Sequence, residues 1–204
     1  ILFANDFRLV FWLAIIPGLM AVTILVVWVR EPEKPTVGGE ARAKIDWRAF
    51  TRLGVPFWGV VAVGTVLTLA RFSEAFLILR AEGNGLPLAL VPLVLVVMNV
   101  VYSLSAYPAG MASDKMDKRA MLAIGFAVLI VADIILAVST SLWTVTVGVC
   151  LWGLHMGLTQ GLLMKIVSEA APASLRGTAF GLFHLVTGMA VLTASIVAGL
   201  LWDL

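Results

Sequence analysis

Six long hydrophobic runs separated by short polar segments dominate the chain. Crossing a bilayer core of about 30 Å takes about 20 helical residues, and the runs have about this length. They are nearly continuous, whereas the strands of a membrane barrel would alternate apolar and polar residues. The pattern predicts an all-α, polytopic membrane helical bundle with six transmembrane helices. The predicted spans are Phe7 to Val29, Leu53 to Leu79, Leu86 to Tyr107, Ala120 to Val138, Leu142 to Val167 and Thr178 to Trp202.

Composition supports this prediction and excludes several classes of protein. Of the 204 residues, 61% are hydrophobic and only 13% are charged, and the mean hydropathy is +1.05, which is far from a water-soluble domain. Cys150, the one cysteine, lies in an apolar run, so no disulfide framework and no paired-cysteine metal or redox motif is expected. The basic residues form no stripe with interleaved aromatic residues, which excludes nucleic acid as a partner. Neither a cofactor nor a metal is expected.

The basic residues indicate the orientation, because Lys and Arg mark cytoplasmic loops. They gather in the first, third and fifth connections and are nearly missing from the second and fourth. We therefore expect Glu40 and Asp117 to be cytoplasmic and Asn84 and Ser141 to be external. The long polar stretch in the first connection predicts three parts: a single span (1–30), a cytoplasmic linker (31–52) and a group of five spans (53–204).

Two short segments resemble signatures of the major facilitator superfamily. The third connection is similar to the cytoplasmic signature of that family, with Asp117 in place of its second glycine. The stretch from Ala171 to Gly181 looks like the entry to the eleventh span of the family. The residues that carry these similarities are Gly110, Asp114, Lys115, Lys118, Arg119, Arg176 and Gly177.

The resemblance implies that the six spans correspond to the sixth to eleventh of the family and the linker to its central loop. It implies a secondary active transporter, not an enzyme, that moves a small solute by alternating access driven by a proton gradient. The implied partners are a small-molecule substrate, the lipid bilayer, and the missing N-terminal half of the transporter or a second copy. The chain would be a fragment or a naturally shortened relative, located in the bacterial inner (plasma) membrane.

Two charged residues, Arg71 and Glu74, lie within the second hydrophobic run. A charge near the bilayer centre costs about 2.5–3.5 kcal/mol on insertion scales, so each needs a partner or a cavity. At a spacing of three residues they could pair on one helix face as a structural ion pair. The resemblance supports a second interpretation, in which this span lines the transport cavity and its carboxylate contributes to proton coupling or substrate contact.

The fifth span combines glycines with polar residues. Gly153, Gly157 and Gly161 follow at four-residue intervals, which predicts close approach to another helix. On a helical projection Gln160 lies near the glycines, whereas His155 and Thr159 lie on the opposite side, where they could face a cavity. The alternative for His155 is a hydrogen bond to a neighbouring helix.

Two other spans carry weaker polar patterns. In the sixth, His184 shares one line with several glycines, so we expect an interhelical seam with His184 facing the bundle. In the third, Asn99 and Tyr102 begin a weakly polar stripe that could line a cavity or bond across helices. For Asp133, in the fourth span, we expect a structural partner or a protonated carboxyl group.

The resemblance also implies a mechanical role for Asp114. The matching aspartate of the family meets the positive end of a helix in the other half of the transporter and so stabilises one access state. Two other functions remain open from the sequence. One is a membrane electron carrier with His155 and His184 as axial haem ligands. The other is a helical membrane scaffold without transport.

Overall fold

The computed structural model describes residues 7–28 and 52–202. The chain divides into two units, residues 1–45 and 46–204. In the first unit, α1 (Phe7–Trp28) is an apolar helix of 22 residues with Pro17 inside it. The predicted linker and Glu40 lie outside the described residues.

The second unit consists of six α-helices along its described part. Four of them, together with the short 3-10 turns that precede two of them, are long and apolar enough to cross a membrane. The stretch Ile15–Trp28 of α1 and the helix Val55–Leu69 are apolar but shorter. With no strand among the described residues, the all-α membrane bundle is confirmed. The helices are α2 (Val55–Leu69), α3 (Ala75–Gly83), α4 (Val91–Ser113), α5 (Lys118–Val138), α6 (Leu142–Ala170) and α7 (Arg176–Trp202).

Helix α6 lies at the centre of this unit and packs along both α4 and α5. It starts with a capping box, in which the Ser141 hydroxyl accepts from the backbone N–H of Thr144 and the Thr144 hydroxyl accepts from that of Ser141. Its Trp152 is fully buried in a core that also contains Phe57 of α2 and Met98 of α4. A long apolar helix that is buried on several sides thus organises the bundle.

Glycines permit the close packing of α6 against α4, as predicted. A Cβ atom at Gly153 would meet the backbone carbonyl group of Met98, with the carbonyl carbon at 3.2 Å. A Cβ atom at Gly157 would lie 3.0 Å from the Cβ atom of Ser105. Gly161, the third member of the series, has no atom within 4 Å of such a position. The predicted close approach to another helix therefore involves only the first two glycines.

The second predicted span differs from the prediction because its helix is broken. Helix α2 ends at Leu69, and α3 begins at Ala75. A short 3-10-type hydrogen bond from Arg71 N–H to the Thr68 carbonyl closes α2, and the Ser73 hydroxyl accepts a 3.3 Å bond from the Ala75 N–H at the start of α3. A serine that bonds to the backbone close to it competes with helical hydrogen bonding, which accounts for a break without proline or glycine.

The sixth predicted span corrects a second expectation. The face of α7 that packs on the bundle contains Ala179, Phe183, Thr187, Ala190 and Ala194. The glycines of the predicted seam, which include Gly177, Gly181 and Gly188, have open space where a Cβ atom would lie. The prediction of a glycine seam is therefore wrong for this unit. The residues that pack follow Ala179 at intervals of four and three residues, and they form a neighbouring stripe of alanine, threonine and phenylalanine on the same helix.

Side-chain contacts show which connections between the helices lie at the same end of the bundle. Lys165 near the end of α6 pairs with Asp114 after α4, while Arg80 near the end of α3 bonds to the end of α5. The third and fifth connections therefore lie at one end of the bundle, and the second and fourth lie at the other. This arrangement is the one that the distribution of basic residues predicts, although the sidedness relative to the cytoplasm stays a prediction.

Candidate functional site: a polar groove and a basic connection

A groove of about 350 Å³ opens between α2, α6 and α7. Its volume falls in the range of small-molecule sites, which begins at about 300 Å³. The lining combines apolar side chains with six polar ones. The polar residues are Thr68, Arg71, Thr159, Gln160, His184 and Thr187. Four of the candidate residues from the sequence, from α6, α7 and the break after α2, thus meet in one cavity.

The helix break positions Arg71 in this groove. Its neighbour Phe72 packs against the core, with its ring centroid 5.1 Å from that of the buried Trp152. The amides of residues 72–74 donate to no acceptor among the described residues. Irregular backbone at membrane depth is tolerated where it is covered by protein or lines a cavity, so the break and the groove are consistent with each other.

Arg71 itself has no hydrogen-bond partner among the described residues, although it is half-buried. The predicted pairing with Glu74 is wrong as an ion pair, since no contact within 4 Å joins the two groups. Their separation follows from the break, because Arg71 lies in the break just after α2, whereas Glu74 is the N-cap of α3 and does not line the groove. The guanidinium group therefore has no ion-pair contact among the described residues, although Glu74 acts on its charge through space.

The three threonines of the groove have already used their hydroxyl protons. Thr68 donates to the Gly64 carbonyl at 2.7 Å, and Thr159 and Thr187 donate to carbonyls one turn earlier in their own helices. Their oxygens can still accept hydrogen bonds. Gln160 and His184 have no side-chain hydrogen bond among the described residues, so both keep their donors free for a ligand. His184 is exposed and lines the groove, whereas the sequence placed it facing a packed seam.

His155 occupies the structural position that the sequence left as its alternative. The ring is fully buried, and its Nδ1–H donates to the Gly125 carbonyl of α5 at 2.8 Å. A Cβ atom at Gly125 would collide with the Thr159 side chain, so a glycine is needed for this close approach. The other ring nitrogen, Nε2, is buried with no partner among the described residues. His155 does not line the groove.

Asn99 and Tyr102 lie away from the groove. Asn99 is exposed on α4, and its side-chain amide donates to the Leu95 carbonyl of the same helix at 2.8 Å. Tyr102 is half-buried and lines a second cavity of about 370 Å³ between α4, α5 and α6, together with Ser113 and Asp114. The predicted polar stripe on the third span is therefore not part of one shared site.

The connection between α4 and α5 is tied to the end of α6 by ion pairs. The Lys165 ammonium group donates to an Asp114 carboxylate oxygen, and Lys118 pairs with Glu169. The hydrogen bond and the charge of Lys165 hold the pKa of Asp114 below its usual value. Asp114 remains largely exposed, with 71% of its side chain accessible, so this contact is screened by solvent. Asp114 already has an ionic partner within the chain.

The turn before α5 forms with Asp117 in place of the second glycine of the family signature. Its φ of −63° and ψ of 126° are ordinary extended values, and its carboxylate accepts a 3.1 Å bond from the Ala120 N–H as the N-cap of α5. No left-handed backbone conformation is required here. Lys115 and Arg119 are exposed, and Gly110 has open space around it. At the other signature, the Arg176 side chain donates to the Ser168 carbonyl at 3.2 Å, and Gly177 is exposed.

The sequence did not single out Arg80 and Asp133 as neighbours. The Arg80 guanidinium group makes four hydrogen bonds of 2.9–3.0 Å to Leu136, Ala137 and Ser139, at the carboxyl end of α5. A cation is favoured at this negative end of a helix. Asp133 lines a cavity with Arg80, and its Oδ1 atom is buried without a hydrogen-bond partner, so the expected structural partner is not found for that oxygen.

Comparison with known proteins identifies the family of the chain. A family model described as Major Facilitator Superfamily matches residues 1–194. The chain belongs to the major facilitator superfamily. The resemblance in the two signature segments is thereby confirmed, and the protein is an integral membrane protein of a transporter family.

The relatives agree with the family assignment but share only part of their length with this chain. An uncharacterized MFS-type transporter of Methanocaldococcus jannaschii is 30% identical over 150 residues, which cover 71% of this chain and 38% of the relative. Uncharacterized proteins of Mycobacterium bovis and Mycobacterium tuberculosis are 23% identical over 198 residues, covering 93% of this chain and 47% of their own length. No solved structure matches. The chain thus spans less than half of each of these relatives.

Proposed function

We propose that this major facilitator protein takes part in secondary active transport of a small solute, with the groove between α2, α6 and α7 as its part of the solute site. The observation that carries the proposal is the convergence of Arg71, Gln160 and His184 on one cavity of small-molecule size. Three free polar groups, from α6, α7 and the break after α2, are suited to orient a bound solute.

A complete transport cycle needs two halves that rock against each other around a central site. This chain contributes one set of helices, and the relatives that it matches are more than twice as long as the aligned part. The proposed partner is therefore an N-terminal half or a second copy of the chain. The bacterial inner membrane is the proposed location.

We place proton coupling on Glu74. Its carboxylate lies at a helix break, and no ion pair within 4 Å fixes it to Arg71. A carboxylate whose distance from a neighbouring cation changes with the access state would bind and release a proton during the cycle. His155, the reserve candidate, is supported less well because its ring is buried and bonded to the Gly125 carbonyl rather than facing the groove.

The test is uptake by membrane vesicles that contain the transporter, measured with and without a pH gradient and compared with solute exchange. Glu74→Gln imitates the protonated side chain, so we expect gradient-driven uptake to be lost and exchange to continue. Glu82→Gln, on the exposed end of α3, is the matched control and should behave as the unmodified protein. Retained gradient dependence in Glu74→Gln, together with its loss in His155→Gln, would move coupling to α6.

The two other functions that the sequence left open have specific tests. His155 and His184 do not line a common cavity, and no group of three metal-ligating side chains occurs in residues 7–28 and 52–202. Absence of a Soret band in the purified protein would discard the haem function. A scaffold without transport predicts that no small solute changes the thermal stability of the protein, whereas our proposal predicts that a solute which binds the groove raises it.

A further inference from the structure

The groove offers more free hydrogen-bond donors than its own residues can satisfy. A guanidinium group has five N–H donors and no acceptor, and those of Arg71 are unused among the described residues. The Gln160 amide and the His184 ring add further free donors. Among the described residues no aspartate or glutamate lines the groove, so its one permanent charge is positive. Glu74 acts on Arg71 from a distance but forms no ion pair with it.

We infer that the groove binds the anionic group of an organic solute, with Arg71 as the direct contact for a carboxylate or a phosphate-type group. This inference rests on the proposed function, because it specifies the class of solute that the proposed site takes. A half-buried cation is stabilised when an anion neutralises it, and the planar fork of arginine matches both oxygens of a carboxylate. The nearest carboxylate in sequence, Glu74, is separated from this role by the helix break.

The remaining lining indicates the rest of the solute. Leu67, Leu163, Phe183 and Val191 give the groove apolar walls. A small inorganic anion would leave these walls without contacts, whereas an organic acid with an apolar body would bury its surface against them. The threonine oxygens accept but do not donate in their present geometry, so they suit a hydroxyl or N–H group elsewhere on the solute.

The experiment measures the thermal stability of the purified chain in nanodiscs of neutral phosphatidylcholine at constant ionic strength. The probes are benzoate, inorganic phosphate and tetraethylammonium, each titrated separately. We expect benzoate to raise the melting temperature in a saturable way, phosphate to have a weaker effect and tetraethylammonium to have none. The variants are Arg71→Gln, Arg71→Lys and the matched control Arg52→Gln, which removes an exposed arginine outside the groove.

Loss of a charge-assisted contact to a carboxylate weakens binding by about tenfold or more, so Arg71→Gln should raise the Kd for benzoate by at least that factor. Arg71→Lys keeps the charge without the fork and should lie between the two. Arg52→Gln should bind as the unmodified chain does. If Arg71→Gln does not fold, Gln160→Leu replaces it, because loss of this second free donor should also weaken binding of benzoate.

Several results would overturn the inference. These are equal binding of benzoate by Arg71→Gln and Arg52→Gln, stabilisation by tetraethylammonium but not by benzoate, and no effect of any anion. Nanodiscs with phosphatidylglycerol test a lipid headgroup as the source of the anion. If stabilisation through Arg71 appears only with that lipid, a soluble solute is excluded.

Failure of the inference and failure of the proposed function are distinguishable. Benzoate binding that depends on Arg71, without uptake of any solute by vesicles, would refute transport and leave the anion site intact. Uptake that is equal in Arg71→Gln and in the unmodified transporter would refute the anion site and leave transport intact.

Discussion

The glycines of α6 allow a sharp test of the packing, because three of them share a spacing but not an environment. A Cβ atom at Gly153 would meet the backbone of Met98, with the carbonyl carbon and the Val101 Cβ atom both at 3.2 Å. At Gly161 the same atom would meet nothing within 4 Å. Gly153→Ala and Gly161→Ala therefore make the same chemical change at a packed site and at an open site of one helix.

The expected magnitude follows from two opposing effects. Overpacking in a filled interior costs about 1–3 kcal/mol, while exchange of glycine for alanine inside a helix gains about 1 kcal/mol. Gly161→Ala should keep or slightly increase the stability. Gly153→Ala should lose stability, because the obstructing atoms belong to the backbone of α4 and cannot change rotamer. The helix effect cancels in the difference between the two variants, which should be about 1–3 kcal/mol.

The assay is equilibrium unfolding of the purified variants in mixed micelles with increasing dodecyl sulfate. Gly157→Ala should give an intermediate loss, because the nearest obstruction is the Ser105 side chain, followed by the Ala106 backbone nitrogen at 3.2 Å. Equal free energies of unfolding for Gly153→Ala and Gly161→Ala would refute the packing of α4 against α6 described above.

Three further predictions address the ends of the bundle. Arg80→Met removes four hydrogen bonds to the carboxyl end of α5 and should reduce the free energy of unfolding by about 2 kcal/mol in the same assay. The pKa of Asp114 is lower in the folded protein, so its ion pair contributes stability above the unfolded pKa of about 3.9 and loses it as pH falls through the folded pKa. The unfolding midpoints of the unmodified protein and Asp114→Asn should therefore differ at pH 7, begin to converge below about pH 4 and coincide once the pH lies below the folded pKa of Asp114. In a Cys150→Ser background, an impermeant thiol reagent should label Asn84→Cys but not Asp117→Cys in intact cells; the opposite pattern would refute the topology.

Helical content and the family were accessible from the sequence because each rests on a local pattern. Apolar runs of about 20 residues define helices in a membrane without reference to their neighbours. The four-residue spacing of Gly153 and Gly157 likewise predicted a close helix contact that the structure confirms. A spacing cannot say how far along the helix the partner extends, and Gly161 lies beyond the contact for this reason.

The orientation of polar groups was less accessible, because it depends on which face of each helix its neighbours cover. On α7 the alanine stripe packs and the glycine stripe stays open, although both have helical spacing. The helical projection places His155 on a possible cavity face, but Gly125 of another helix is small enough to approach it and accept its hydrogen bond. To predict which way such a residue faces, one must know the partner helix as well as the helix that carries the residue.

The break between α2 and α3 is a feature that the sequence pattern did not predict and that bears on the proposed function. Arg71 and Glu74 are separated by three residues, and a continuous helix would place them on one face, where an ion pair would neutralise both. The Ser73 hydroxyl instead bonds to the Ala75 N–H at the start of a new helix, and the two charged groups do not form a contact within 4 Å. The bond that the Ser73 hydroxyl accepts thus lies at a break that leaves the arginine in the groove and the carboxylate outside it, without an ion pair between them. Ser73→Ala removes this bond and keeps both charges. If Arg71 and Glu74 then form an ion pair, binding of an anion by Arg71 in the groove should become weaker, although the substitution lies outside the groove.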